Sequence, residues 1–251
     1  MTAIRATTGS TRQTAIGLGL AALIFATWLA LHVYGIFVFR LDWTNLHVAL
    51  AIALAQCWLS VGLFIISHDA MHGSLAPRRP RLNGLIGGGL LMLYAGFGWR
   101  RMRDAHFAHH RHAGTRDDPD FDADNPARFA AWYATFLKRY FGWPSLLYVS
   151  TIVTFYWLVI GVPMAQIVLV FGLPAIASSM QLFYFGTYRP HRHGLDAFTD
   201  RHKARSDRFP TILSLATCFH FGYHHEHHRF PQTPWWALPR RCREAGKALE
   251  S

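Results

Sequence analysis

Acidic residues, lysines and cysteines are all scarce in this sequence. Of its 251 residues only 14 are Asp or Glu, and the glutamates are limited to Glu226, Glu244 and Glu250. Soluble di-iron bundles hold their metals with Glu and Glu-x-x-His pairs, which this sequence cannot supply. The three cysteines are scattered and form no C-x-x-C pair, so they predict neither a disulfide framework nor a zinc knuckle.

Formal charge is also absent from four long stretches, which are residues 15–39, 46–67, 82–99 and 140–188. A bilayer core of about 30 Å needs roughly 20 helical residues, so the last stretch is long enough for two crossings. It divides at the turn signal Gly161-Val162-Pro163. The pattern predicts an all-α integral membrane protein with four transmembrane helices, at about 15–39, 46–67, 140–160 and 164–188.

The remaining segments are predicted to lie outside the bilayer core, and the whole chain is expected to form one domain. Residues 1–14 are predicted as a disordered tail, and residues 189–251 as a polar cap that ends in a basic tail. Residues 82–99 are bounded at both ends by arginine clusters, which disfavour a crossing. We therefore predict that this stretch is interfacial or re-entrant, with its backbone covered by protein.

The net charge is +11, and only three of the 25 basic residues are lysines. The arginines flank the uncharged stretches, a placement that disfavours nucleic-acid binding and fits cytoplasmic loops under the positive-inside rule. The polar cap is therefore predicted to face the cytoplasm.

Histidine is abundant, with 16 residues, and most of them are clustered. His68 and His72 share one face of a helix, and H-x-x-H-H occurs twice, from His106 and from His224. Imidazole binds iron, zinc, copper and nickel. A single zinc takes three or four ligands, so about nine convergent histidines require two metal centres. Carboxylates are expected nearby to orient the rings, and the candidates are Asp69, Asp104, Asp117, Asp118 and Glu226.

These motifs resemble those of one membrane-enzyme family. The stretches His68-Asp-Ala-Met-His72, His106-Phe-Ala-His-His110 and His224-His-Glu-His-His228, together with Asp117-Asp-Pro-Asp, are similar to those of bacterial β-carotene 4-ketolases. That family belongs to the membrane-bound fatty acid desaturase and hydroxylase superfamily. The sequence departs from its pattern at Arg189-Pro-His191 and at Arg229-Phe-Pro231, where Leu-Pro-His and Leu-His-Pro are expected.

The resemblance implies a di-iron oxygenase with a cytoplasmic histidine-rich cap, in the inner membrane of a bacterium. Two irons would be held by nine histidines, namely His68, His72, His106, His109, His110, His191, His224, His227 and His228. Asp117, Asp118, Glu226 and His225 are the further residues predicted to take part in catalysis.

The implied reaction is the O₂-dependent oxidation of C4 of a β-ionone ring. Two hydroxylations give a geminal diol, which loses water to form the ketone. The implied partners are a carotenoid substrate, the lipid bilayer and an external electron donor of the ferredoxin type. Five aromatic residues are candidates to line the substrate channel: Trp99, Phe107, Phe121, Tyr184 and Tyr223.

Two other interpretations remain open at this stage. A carotenoid hydroxylase or an acyl desaturase would belong to the same superfamily, although the residues in and around the histidine motifs disfavour both. A non-enzymatic metal transporter belongs to a different class. It should place ionisable residues within its spans, whereas here they cluster at one face.

Overall fold

The computed structural model describes residues 2–194, 198 and 200–247, and these residues form helices, turns and loops without a β-strand. The helices are α1 (Thr2–Val33), α2 (Leu46–His72), α3 (Pro80–Ala95), α4 (Trp99–His112), α5 (Phe129–Tyr140), α6 (Trp143–Thr154), α7 (Met164–Ile167), α8 (Leu173–Phe183), α9 (Arg189–His191), α10 (Thr211–Cys218), α11 (His224–Arg229) and α12 (Leu238–Lys247). Turns of π-helix extend α1 and α6 and join α7, α8 and α9 into one continuous helix. The predicted all-α class is confirmed.

Three helical segments are long and apolar enough to cross a membrane: Ser10–Val38, Trp43–His72 and Met164–His191. Two further pairs of helices would each qualify as one broken span, so the candidate spans number three to five within the described residues. The predicted span at 140–160 corresponds to α6 and its π-turn, Trp143–Val159, which meet α5 at a bend of 86° and form one of these two pairs.

The prediction of a disordered tail concerns residues 1–14. Helix α1 begins at Thr2, and the end of this segment packs against the loop after α2. Gln13 Nε2 donates a hydrogen bond of 2.7 Å to the Ser74 carbonyl, and Thr14 is buried. These contacts anchor the residues directly before the uncharged stretch from which the span was predicted.

Helix α2 is the centre of the molecule. Its most apolar window is 67% buried, compared with 28% for the first and last candidate spans. The helix follows a capped turn in which Asp42 Oδ1 accepts a hydrogen bond from the Thr44 amide, at 2.6 Å. It ends at Gly73, whose φ of 72° is typical of a glycine C-cap. A helix surrounded by others in this way can present its last turn, with His68 and His72, to several elements at once.

The segment predicted as interfacial or re-entrant forms a sharp bend. Helix α3 starts with Pro80 and ends at Gly96, and α4 leaves at 99° to it. The start of α4 folds back on α3, since a Cβ on Gly87 would lie 2.3 Å from the Trp99 ring and 2.9 Å from the Ala70 Cβ. This bend returns α4 to the end of α2, so the second histidine motif lies beside the first.

The side chain of Gln166 forms hydrogen bonds with backbone groups at the end of the first candidate span. Its Nε2 donates hydrogen bonds to the carbonyls of Gly35, at 2.8 Å, and Phe39, at 2.7 Å, and its Oε1 accepts one from the Leu41 amide. The π-turn at the end of the first span leaves these groups without helical partners, which is costly where water is absent. One buried glutamine therefore fixes the end of the first span against α7.

Candidate metal centre

All nine histidines predicted as metal ligands converge, and they do so in two groups. Within each group the ring nitrogens lie within 4.8 Å of one another. The five-histidine group consists of His68, His72, His106, His110 and His227. The four-histidine group consists of His109, His191, His224 and His228.

Helical geometry explains how neighbouring residues enter different groups. Successive side chains on an α-helix are about 100° apart, so adjacent histidines point in different directions. On α4, His110 enters the five-histidine group and His109 the four-histidine group. On α11, His227 and His228 divide in the same way. Each H-x-x-H-H motif thus supplies both groups, which is the arrangement predicted from the spacing.

The nitrogen contacts fit shared cations better than hydrogen bonds. His227 Nε2 lies 3.1 Å from His68 Nε2 and 2.9 Å from His110 Nε2. His228 Nε2 lies 3.1 Å from Nε2 of both His109 and His224. A ring nitrogen carries either one proton or one lone pair, so it cannot complete both contacts as hydrogen bonds. Lone pairs directed at a common metal ion would satisfy all of them.

The histidines of α11 are held in the neutral form. Burial, followed by repulsion from neighbouring imidazoles, keeps the pKa values of His224, His227 and His228 well below their ordinary value. Neutral imidazole is the form that binds metal ions. These rings are therefore ready to coordinate at physiological pH.

The four-histidine group is supported from outside by hydrogen bonds. His109 Nδ1 lies 3.0 Å from both carboxylate oxygens of Asp118, which is 2% exposed. His191 Nδ1 lies 2.7 Å from the Lys203 carbonyl and donates to it. Such contacts fix the proton on Nδ1 and leave the Nε2 lone pair for a metal, as is usual for metal-ligating histidines.

Asp118 is kept ionised in spite of its burial. Burial opposes the charged form, but the attraction of His109 and hydrogen bonds from that ring and from the amides of Asp120 and Gly114 outweigh it, so the pKa of Asp118 lies below its ordinary value. Burial raises the pKa of Asp120, two residues further along the same loop. Two neighbouring carboxyls therefore differ in their protonation behaviour.

The other residues predicted for catalysis lie elsewhere. Asp117 is exposed, as is Asp104. Buried Glu226 accepts a hydrogen bond from the Ser206 hydroxyl, and His225 Nε2 lies 2.8 Å from Asp200 Oδ2. These two α11 side chains point toward the loop around residues 200–206, because they occupy the helix face opposite the metal-directed histidines.

Asp69 has a different role from the ring-orienting one that was predicted. Its Oδ2 accepts a hydrogen bond of 3.0 Å from the Trp235 amide, while Oδ1 stays 3.8 Å from His68 Nδ1. Asp69 therefore attaches the segment before α12 to the end of α2.

An apolar cavity of about 510 Å³ opens onto both groups. Two of its lining histidines, His68 and His106, come from the five-histidine group, and two, His109 and His224, come from the four-histidine group. Its other walls are mainly apolar side chains from α2, α3, α5, α6 and α8. One cavity can therefore present a single apolar ligand to both candidate centres.

The aromatic lining differs from the prediction. None of the five predicted residues, Trp99, Phe107, Phe121, Tyr184 and Tyr223, lines this cavity. The aromatic residues that line it are Phe64, Tyr94, Phe97, Tyr133, Phe136, Tyr140, Phe141, Phe171 and Phe221. The prediction failed because it took aromatic residues near the motifs, whereas the bends after α3 and α5 decide which rings face inward. Asp120 and Tyr140, which also line the cavity, were missed as site residues.

Comparison with known proteins agrees with this site. The sequence profile described as "Fatty acid desaturase" matches residues 42–158 and 138–250. A protein named "Beta-carotene ketolase" from Paracoccus sp. (strain N81106 / MBIC 01143) is 56% identical over 229 residues, which are 90% of this chain and 92% of that protein. Another of that name, from Paracoccus sp. (strain PC1), is 49% identical over 96% of this chain and 98% of its own length.

A more distant relative extends the comparison to algae. "Zeaxanthin 4-ketolase" from Chlamydomonas reinhardtii is 36% identical over 92% of this chain and 54% of its own length. The resemblance predicted from the histidine motifs is confirmed. Since the profile and these relatives each cover most of the sequence, the chain belongs to the fatty acid desaturase family and is similar over nearly its whole length to bacterial beta-carotene ketolases.

Proposed function

We propose that this protein is a membrane-bound di-iron carotenoid ketolase that uses O₂ to convert C4 of a β-ionone ring into a ketone. β-Carotene would give echinenone and then canthaxanthin, and zeaxanthin would give astaxanthin. The observation that carries the proposal is that one apolar cavity is bordered by histidines of both groups. The names of the relatives supply the substrate class.

Each histidine group would hold one iron. Imidazole suits iron, and the double contacts of His227 and His228 fit shared cations. When bound, iron supplies the activation of O₂ and the removal of hydrogen from an allylic CH₂, which side chains cannot perform. The protein residues orient the ligands. Asp118 and the Lys203 carbonyl fix two rings of the four-histidine group, and Phe221 packs against His68 and His224 with ring centroids 4.6 and 4.9 Å apart.

The cavity walls position the hydrocarbon substrate and exclude water. An apolar ring gains roughly 25 cal/mol for each Å² of surface removed from water, and a lining of aromatic and aliphatic side chains offers few competing polar groups. The ring would thus be held by shape beside His68, His106, His109 and His224, with C4 directed toward the centres.

Four crossings of the bacterial inner membrane, with α3 and the start of α4 re-entrant from the cytoplasmic side, fit this site best. Exposed arginines flank both ends of α3, namely Arg78, Arg79, Arg81, Arg100, Arg101 and Arg103. Their clustering near the histidine motifs supports a cytoplasmic cap under the positive-inside rule. A basic rim of this kind also suits a small acidic electron donor of the ferredoxin type.

Expression in a bacterium that accumulates β-carotene, with analysis of the pigments, tests the function. The wild type should produce echinenone and canthaxanthin, and the purified protein should contain about two irons per chain, the number of histidine groups. His110→Ala and His228→Ala should abolish ketone formation. His112→Ala, at the exposed end of the same helix α4, is the matched control and should retain activity.

Three outcomes would contradict the proposal. Unchanged β-carotene with iron bound would exclude a ketolase, and accumulation of ring alcohols alone would indicate a hydroxylase. Full activity of His110→Ala or His228→Ala would remove that residue from the ligand set.

A further inference from the structure

The apolar cavity contains one acidic side chain, that of Asp120, among the described residues that line it. Tyr140, at the end of α5, donates its hydroxyl proton to Asp120 Oδ1 and also lines the cavity. The second oxygen, Oδ2, lies 3.8 Å from His109 Nδ1. Asp120 therefore lies beside the four-histidine group.

The local hydrogen bonds leave Asp120 Oδ2 without a donor in the described part of the chain. His109 Nδ1 is bound by Asp118, at 3.0 Å from each oxygen, and has no second proton to offer. Arg139, whose charge acts on Asp120, donates through Nη1 to the carbonyls of Pro119 and Phe121, at 2.7 Å each, and makes no hydrogen bond to Asp120 Oδ2. The Asp120 side chain keeps 15% of its surface exposed and borders the cavity.

The backbone of Asp120 holds this side chain in place. Its amide donates to Asp118 Oδ1 at 2.8 Å, and its carbonyl accepts a hydrogen bond of 2.7 Å from Trp132 Nε1. The carboxyl is thus fixed from the backbone and from Tyr140, and it lines a cavity whose other walls are mainly apolar. A carboxylate oxygen without a donor in apolar surroundings is unfavourable, so a ligand that supplies the missing hydrogen bond would be favoured there.

We propose that Asp120 binds the C4 hydroxyl of the alcohol formed by the first oxidation and holds it for the second. This assignment rests on the proposed ketolase function. A ketone requires two oxidations of the same carbon, and after the first one that carbon carries a hydroxyl in an apolar cavity. The Asp120 carboxyl would form a hydrogen bond with this hydroxyl beside His109. An ionised carboxyl would accept this bond, and a protonated one could donate it. Retention of the alcohol would distinguish a ketolase from a hydroxylase, which releases the alcohol as its product.

The test replaces the pair by apolar groups of similar size in the double variant Asp120→Leu/Tyr140→Phe. Replacing both partners of a hydrogen bond avoids leaving one of them buried and unpaired, so folding is preserved better than by either single change. Purified, iron-loaded protein is supplied separately with β-carotene and with 4-hydroxy-β-carotene, and the initial rates and products are measured. Binding of 4-hydroxy-β-carotene to the iron-free protein, followed by the absorption of the carotenoid, gives a readout independent of turnover.

The double variant should bind 4-hydroxy-β-carotene about 10-fold more weakly, the loss expected for one hydrogen bond. The ratio of the second oxidation rate to the first should fall by a similar factor, so that alcohol accumulates from β-carotene. Tyr140→Phe alone retains the carboxyl and should show a smaller effect in the same direction. Asp124→Asn, an exposed change in the same loop, is the control and should match the wild type.

An unchanged ratio of ketone to alcohol would overturn the assignment, and so would an equal fall in both rates. Loss of bound iron from the double variant would also overturn it, because the pair would then be supporting His109. If turnover of zeaxanthin suffered while no C4 alcohol accumulated, Asp120 would be binding the hydroxyl at C3. A wild type that forms no ketone would refute the proposed function itself, which keeps the two failures distinct.

Discussion

The two histidine groups share helices α4 and α11, but α2 contributes only to the five-histidine group and α9 only to the four-histidine group, and the hydrogen bonds that support them differ. In the four-histidine group, a buried carboxylate binds His109 and a loop carbonyl binds His191. The Nδ1 atoms of His224 and His228 in that group, like that of His68 in the five-histidine group, have no hydrogen-bond partner among the described residues, so the outer hydrogen bonds at His109 and His191 are what distinguishes the four-histidine group. The rings of the five-histidine group pack against one another. The ring centroid of His72 lies 4.8 to 4.9 Å from the ring centroids of His68, His110 and His227.

This difference indicates which part of the chain each centre depends on. The five-histidine group follows the packing of α2, α4 and α11, whereas the four-histidine group also depends on the loops at residues 113–128 and 200–205. Changes in these loops should therefore weaken one centre and spare the other.

The largest effect is expected from removing one ring from each group. His72→Ala and His191→Ala should each lower ketone formation by more than about 100-fold, above the 10- to 100-fold typical of losing an outer hydrogen-bond partner of a metal ligand. Each variant should lose iron from its own group, which iron analysis and Mössbauer spectroscopy can separate. Retention of both irons in either variant would show that the ring is not a ligand.

The second largest effect is expected from weakening the hydrogen bond between Asp118 and His109, which supports the four-histidine group from outside. Asp118→Asn should reduce the iron affinity of the four-histidine group by about 10- to 100-fold, because the amide no longer stabilises the Nδ1 proton of His109 with a full charge. Competition with an iron chelator measures this affinity. Equal weakening of both centres would refute the separate support of the two groups.

A smaller effect should follow from strain in the loop that holds Asp118. Gly114 has a φ of 63°, and a Cβ there would lie 3.3 Å from the Lys203 side chain. Gly114→Ala should therefore lower the free energy of unfolding by about 1 kcal/mol, through its left-handed backbone. Thermal unfolding in detergent measures the change. Gly89→Ala is the control, since it lies within α3 with no atom near the added Cβ and should cause no destabilisation.

The smallest effect is expected at Asp117, which is exposed beside buried Asp118. Asp117→Asn should change the free energy of unfolding by less than about 0.5 kcal/mol and leave iron affinity unaltered, as is usual for surface changes. The chelator titration used for Asp118→Asn applies here as well. A loss of iron equal to that of Asp118→Asn would show that the charge of the loop, and not the contact with His109, supports the centre.

Local periodicity predicted the parts of the site that depend on one helix at a time. The spacing of His106, His109 and His110 predicts two directions of approach, and the structure divides these residues between the groups accordingly. The first two spans could be predicted because their uncharged stretches each form one long helix. At the third predicted span, the helix Trp143–Val159 follows the uncharged stretch, but its bend of 86° to α5 could not be predicted, because composition carries no information on the angle between helices.

The sequence by itself determined an all-helical chain with long uncharged segments, and it determined nine candidate ligands grouped around their ends. Composition and helical spacing are local properties, and they suffice for the helices and for the histidine motifs, whereas the choice of the nine ligands, His191 among them, came from the resemblance to β-carotene ketolases. Only the tertiary structure decided that Asp118 supports His109 and that Asp120 faces the cavity. Those placements arise where loops pack between helices, at contacts that no sequence period encodes.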